Sequence, residues 1–485
     1  MHCAGAVVVA LVSVTTAAAH GDDSTIEEHW QPGGIRLQQE QSRGRQELFN
    51  FKDLQYYAEL SVGTPRQKLT GVIDTGSFEL VLFSKTCEDC GRAGSYDSNA
   101  SSSHRAGALV NSLTYGSGEV QANHSCDEFV VGPFPPKEQC FWEGLSADMP
   151  LLENAKFQAI IGIGPPETPA ADAWAFTVNS LRHINRHFKK HLGEQLPDDL
   201  VVQANQDLST ALQISRAKPV LSNFEVTMFS VCLGKRPGSS GFFVWNDTAA
   251  LRQPDLFYRL PVVGKHTWTV QMSAVHLSER VPMPSSEGVI SLPGCADGCS
   301  AVIDSGTSLL VMPTATIDAL VSMLNGRVGP GCGNLHQLPD IAFSLNGVEV
   351  SLPPDAYMGQ VSGSMPAYIN DVIRVRRLRL HGKERQGEQC EVAVMESFTQ
   401  TDHGPLWVLG MPFFRKYYTT FDVGSNASER SIHLALASDA CTPMSPEVPV
   451  AVAERKEAVQ RREIDLTHVM PPSILRQVRK DFLHT

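Results

Sequence analysis

One motif occurs twice, and it constrains the fold more than any other feature of the chain. Gly71-Val-Ile-Asp74-Thr-Gly-Ser77-Phe-Glu-Leu-Val-Leu82 returns 230 residues later as Ala301-Val-Ile-Asp304-Ser-Gly-Thr307-Ser-Leu-Leu-Val-Met312. Each copy is followed by a second match, Ala159-Ile-Ile-Gly162 and Trp407-Val-Leu-Gly410. The period is far longer than the 20–50 residues or so of solenoids and propellers. A lone Asp-Thr-Gly is commonly just a turn. Two copies in matched apolar frames, each with its own apolar-apolar-Gly partner, instead predict a duplicated lobe with a shared site between the copies.

The residue types in the motif specify chemistry. An apolar run puts each strand inside its lobe, so the Asp at its end needs hydrogen-bond partners or a proton. Thr75 and Ser305 can bond across to the opposite loop. Gly76 and Gly306 let backbone N–H groups approach the carboxylates, and Ser77 and Thr307 add a hydroxyl beside each. Two carboxyls side by side cannot both ionise, so one is an acid and the other a base. Such a pair can activate a water and polarise a carbonyl.

The rest of the chain places that chemistry. The 485 residues carry a net charge of -12, which argues against a phosphate-binding surface and hence against nucleic acid as a partner. No internal run reaches the ~18 apolar residues of a membrane span. Residues 1–19, with Thr16-Ala17-Ala18-Ala19, read as a secretory signal, although His2 is the one candidate positive charge before the apolar stretch. Cys3 falls within it, which leaves ten cysteines, an even number suited to disulfides. Sequons at Asn99, Asn123, Asn246 and Asn426 agree with a secreted glycoprotein. Residues 20–50 are expected to be a short leader, removed on maturation or held as a loose arm.

From Leu48 onward, short β-branched and aromatic runs between Gly and Pro predict a mostly β chain. One stretch departs from this. Residues 173–192 carry Val178, Leu181, Ile184, Phe188 and Leu192 at helical spacing. His183, His187 and His191 share a face of that helix, but no Cys or acidic ligand sits among them, so a solvated basic face is the better reading than a metal site. After Cys441 the tail, 441–485, is rich in Pro, Glu and Arg and is expected to lie outside the core.

Taken together, the sequence resembles the pepsin-like aspartic proteases over residues 51–440. The resemblance rests on the two Asp motifs and on Val62-Gly-Thr-Pro65, Leu113-Thr-Tyr115-Gly-Ser-Gly118, Leu338-Pro-Asp-Ile341 and the block from Trp407 to Asp422. It implies a bilobal pepsin-like fold, with an N-terminal lobe over 51–255, a C-terminal lobe over 256–440 and a cleft between them. It further implies an aspartic endopeptidase: Asp74 and Asp304 as catalytic residues, a peptide or protein substrate, no cofactor and no metal. Thr75, Gly76, Ser77, Ser305, Gly306 and Thr307 would support the pair. Tyr115, Gly116 and Ser117 look like the tip of the flap, a Gly-rich turn that on its own reads as a hairpin. Val72, Phe157, Ile160 and Val302 look like apolar subsite walls, which favours bulky hydrophobic side chains at the scissile bond.

On the same resemblance the cysteines pair as Cys87–Cys90, Cys295–Cys299, Cys332–Cys390 and, as in the beta-secretase branch, Cys232–Cys441. Cys126 and Cys140 flank a Pro-rich turn and could pair across it. A zinc reading of Cys87-x-x-Cys90 lacks a second pair of ligands. A monomeric zymogen of the secretory pathway, secreted or held in an acidic vesicle, is expected.

Four features depart from the family pattern. Val81 stands where a tryptophan is usual, a Gly-Gly turn is replaced in Phe242-Phe-Val-Trp-Asn-Asp247, residues 165–222 are long, and the leader is short for an inhibitory pro-segment. A catalytically silent binding protein on the same fold is the alternative, but both Asp residues, their glycines and the flap tyrosine are present. An adhesive or lectin-like β-protein using helix 173–192 is a third class.

Overall fold

The computed structural model describes residues 44–166, 202, 218–279, 289–364, 390–445 and 459–472. Helix 173–192 and its histidines lie outside them.

The strands follow from two kinds of patterning. Gln55–Val62 alternates: Tyr56, Ala58, Leu60 and Val62 are buried, while Tyr57, Glu59 and Ser61 face outward. That is the period of a strand with one wet face. The motif strands are instead buried on both faces. Gly71 to Asp74, Ala159–Gly162 and Cys299–Ile303 are buried at every position, which explains their continuous apolar runs.

The duplication is visible in the pairing. Gln67–Asp74 runs parallel to Ala159–Gly162, with Asp74 opposite Gly162, and Leu80–Glu88 pairs antiparallel on the other side of Ala159–Gly162. In the second half Cys299–Ile303 runs parallel to Gly404–Leu409, and Leu310–Pro313 pairs antiparallel with it. Each Asp therefore leaves its strand at the same point of the same three-stranded crossing. The architecture is the mostly β, bilobal pepsin-like one.

The strands Met228–Cys232, Gly241–Trp245, Tyr417–Asp422 and Ser431–Ala437 continue the first sheet beneath the crossings. Phe229 stacks on Phe421 at 4.8 Å and on Phe243 at 5.3 Å. Trp268 meets Phe421 edge-on at 5.2 Å and donates its indole N–H to Ile163 O at 3.0 Å. A rigid aromatic layer thus supports both halves.

Two expectations about the ends need correction. The leader drawn to residue 50 cuts through a strand, because Arg45–Phe51 pairs with Gly241–Trp245 on one side and Gln55–Val62 on the other. Leu48 is buried there, so residues 45–50 belong to the sheet and are not a loose arm. The tail does not lie wholly outside the core either. Glu463–Asp465 adds to Met358–Ser362 as a parallel strand, and Ile464, Leu466 and Val469 are buried with Val302, Leu309 and Val408. Full burial of an aliphatic side chain is worth about 1.5–3 kcal/mol, and this drives the segment inward despite its polar surroundings.

Among the described residues, no helix is long and apolar enough to cross a membrane.

Candidate active site

The two Asp loops meet head to head and are tied through their second residues. Thr75 Oγ1 donates to Ile303 O at 2.9 Å and accepts from Ser305 N–H at 2.8 Å. Reciprocally, Ser305 Oγ donates to Ile73 O at 2.7 Å and accepts from Thr75 N–H at 3.2 Å. All four bonds are buried, and each contributes about 0.5–1.5 kcal/mol net. They fix the distance between the halves at the point where the carboxyls face each other.

Both carboxyls are held alike. Gly76 N–H donates to Asp74 Oδ1 at 2.8 Å and Ser77 Oγ to Asp74 Oδ2 at 2.5 Å. Gly306 N–H donates to Asp304 Oδ1 at 2.8 Å and Thr307 Oγ1 to Asp304 Oδ2 at 2.5 Å. The glycines are required by close approach. A methyl on Gly76 would sit 2.5 Å from Asp304 Oδ2, and one on Gly306 would collide with Asp74 Oδ1.

The electrostatics follow from that geometry. Burial pushes the Asp74 carboxyl above the usual range, against the pull of the Ser77 and Gly76 hydrogen bonds. Burial and then the adjacent Asp74 charge push Asp304 well above it. Two buried carboxyls held this close disfavour a second charge on the pair.

Arg105–Tyr115 and Gly118–Val131 form a hairpin whose tip is the two-residue loop Gly116-Ser117, with Tyr115 paired to Gly118. Tyr115 is buried over the carboxyls. Its hydroxyl has no partner among the described residues, as expected where Val81 offers no donor. Burial, and then the Glu79 and Asp74 charges, raise the phenol well above its usual range.

Val72, Phe157, Ile160, Tyr115 and Ser117 line one cavity with Asp74, Asp304 and Gly306. Val302 does not line it; this residue packs with Leu309 and Val311 in the core below. Sequence reasoning missed five lining residues: Met149, Leu151 and, from the tail, Met470, Pro471 and Pro472. With the tail residues in place, the cavity has room for a water or two but not for a side chain.

The structure joins Cys87 to Cys90, Cys126 to Cys140, Cys232 to Cys441, Cys295 to Cys299 and Cys332 to Cys390. His124 lies near Cys126 and Cys140, but with both sulfurs in a disulfide only the imidazole could bind a metal there.

Comparison with known proteins gives the same picture. The chain is 26% identical over 386 residues to cathepsin E of Aquarana catesbeiana, covering 78% of this chain and 79% of that one. It is 27% identical over 391 residues to pepsin A of Bos taurus, covering 79% and 85%. The profile described as eukaryotic aspartyl protease matches residues 55–189, 213–368 and 367–435. With that match running through both Asp loops and the hairpin, the chain belongs to the eukaryotic aspartyl protease family.

Proposed function

We propose that the protein is an aspartic endopeptidase in which Asp74 and Asp304 act as one acid–base pair on a water and a peptide carbonyl. The observation that carries the reading is the matched hydrogen-bonding of two buried, facing carboxyls, an arrangement that supports one shared proton. In the reaction, the ionised carboxyl takes a proton from the water as its oxygen bonds to the carbonyl carbon. The protonated carboxyl gives its proton to the carbonyl oxygen, which yields a neutral tetrahedral diol. The first carboxyl then gives its new proton to the amide nitrogen while the second takes a proton back from a diol hydroxyl, so the C–N bond breaks, the carboxylic acid product forms and the pair is restored. No step requires a metal. The apolar walls Val72, Phe157 and Ile160 support a preference for bulky hydrophobic side chains.

The five disulfides suit an oxidising compartment, and the need for one proton suits an acidic one, so we place the enzyme in the secretory pathway or an acidic vesicle. The test is cleavage of a hydrophobic peptide at about pH 4–6, with and without a chelator and an inhibitor that mimics the tetrahedral diol. We expect turnover that the inhibitor stops and the chelator leaves unchanged. Turnover that the chelator abolishes would overturn the reading.

A further inference from the structure

Residues 459–472 lead from the outer side of the second half to the carboxyl pair, and they are anchored along the way. Arg462, 3% exposed, pairs with Asp53 at 3.0 Å and with Asp355 at 3.5 Å. Burial works to raise the Asp53 carboxyl, but Arg415 and Arg462 outweigh it and hold it below the usual range. The strand Glu463–Asp465 and the buried Ile464, Leu466 and Val469 follow. Gln55 Nε2 then donates to His468 O at 3.0 Å.

The last contacts are made inside the cleft. Met470 N–H donates to Ser308 Oγ at 2.8 Å, and Ser308 N–H donates to Met470 O at 3.0 Å. Ser308 stands four residues beyond Asp304 and is fixed by donating its own hydroxyl to Leu54 O at 2.5 Å. Two-way pairing of this kind is how an extended peptide docks on a cleft wall. Pro471 and Pro472 come next. They line the cavity of the carboxyl pair, and their carbonyls abut the flap tip so closely that a methyl on Gly116 would collide with both.

We propose that residues 459–472 are an inhibitory strap built into the chain, whose Met470-Pro471-Pro472 end occupies the cleft in place of a peptide. This rests on the carboxyl pair being the catalytic centre. The two prolines suit an occupant better than a substrate. They have no N–H to give to the flap or to the second wall, and their rings fix φ near −65°. The strap therefore fills the cleft without entering a full ladder. Its main anchor is a buried ion pair, and losing one partner of such a pair is far more costly than losing an exposed one. Because Asp53 is held below the ordinary carboxylate range, mild acid leaves the Arg462–Asp53 anchor intact. A protease that cuts the chain ahead of residue 459, or a partner that binds the strap, would release it.

The test uses the full chain and a strap-tip variant, Met470→Gly with Pro471→Gly and Pro472→Gly, which leaves every anchor in place. Affinity for a peptide isostere carrying a hydroxyl at the scissile position is measured by calorimetry, alongside kcat/KM. If the cleft must open first, apparent affinity falls by the open fraction, so the variant should bind the isostere at least about tenfold more tightly, with kcat/KM raised in step. Lys52→Ala, which loosens the exposed Lys52–Asp465 pair, should move both readouts the same way by about two- to threefold. Equal isostere affinity in all three proteins would overturn the strap, and equal cleavage alongside it would leave the catalytic reading standing. A gain in isostere affinity with no cleavage by any of them would do the reverse.

Discussion

The two Asp loops are nearly superimposable in what they do to their carboxyls, and they differ in what lies beside them. Each carboxyl accepts one backbone N–H at 2.8 Å and one hydroxyl at 2.5 Å, from strands crossed in the same order. Four residues on, the likeness ends. Phe78 follows the first loop, while Ser308 follows the second and pairs with the chain's own Met470. The first half contributes a hairpin above the pair, and the second half carries the C-terminal segment. What the duplication preserves is therefore the chemistry, and what has diverged is the cover.

The sharpest way to break that equivalence is to remove one carboxyl at a time. Asp74→Asn and Asp304→Asn should each lower kcat by roughly 10²–10⁴-fold, the usual worth of a positioned acid or base, and single-turnover assays would show whether one loop matters less. The same variants test the shared proton. Both carboxyls are raised in the folded chain, so that chain keeps a proton that the unfolded chain releases above about pH 3.9. The pair's contribution to stability is then full below that pH and lost as pH rises through the raised values. Asp304→Asn removes the loss, so its Tm should fall less than that of the intact chain between about pH 4 and 7. Parallel thermal scans check this.

A smaller effect separates two disulfides of very different span. Cys232–Cys441 spans 209 residues and Cys87–Cys90 only 3. Replacing the first pair by serines should cost about 2–5 kcal/mol, and replacing the second markedly less, because loop entropy grows with span. Urea unfolding of the two variants gives the ranking.

The smallest effect lies in the flap. The Tyr115 hydroxyl is buried without a partner among the described residues, so the ring supplies its function by packing. Tyr115→Phe should change kcat/KM by less than ~1 kcal/mol, about one net hydrogen bond. Tyr115→Ala should cost several-fold more in rate, through the lost wall. Equal and large losses would mean that the hydroxyl acts on the substrate.

The sequence foretold the motif crossings because they are buried on both faces, which leaves uninterrupted apolar runs and little freedom in residue type. The flap was legible for a different reason: Gly116 and Gly118 flank Ser117 in a Gly-rich turn between two strand-forming runs. Val302 was assigned to a wall by the family resemblance, and it instead packs with Leu309, Ile464 and Leu466 in the core. The tail was misread through composition. Its Pro, Glu and Arg content hid Ile464, Leu466, Val469 and Met470, although the alternation of Ile464 and Leu466 with polar neighbours was the signal that could have marked a strand. Arg45–Phe51 was misplaced because its polar flank set the leader boundary too late.

The Cys232–Cys441 bridge has one more consequence. It pins the chain to the central sheet 18 residues ahead of residue 459, a stretch that can span no more than about 60 Å. The segment in the cleft is therefore a tethered ligand, present at an effective concentration set by that reach and not by the amount of protein in solution. Dilution leaves its occupancy unchanged. One chain break between Cys441 and residue 459 makes it an ordinary bimolecular ligand, free to be diluted away, so a single peptide-bond cut would turn a concentration-independent state into a concentration-dependent one.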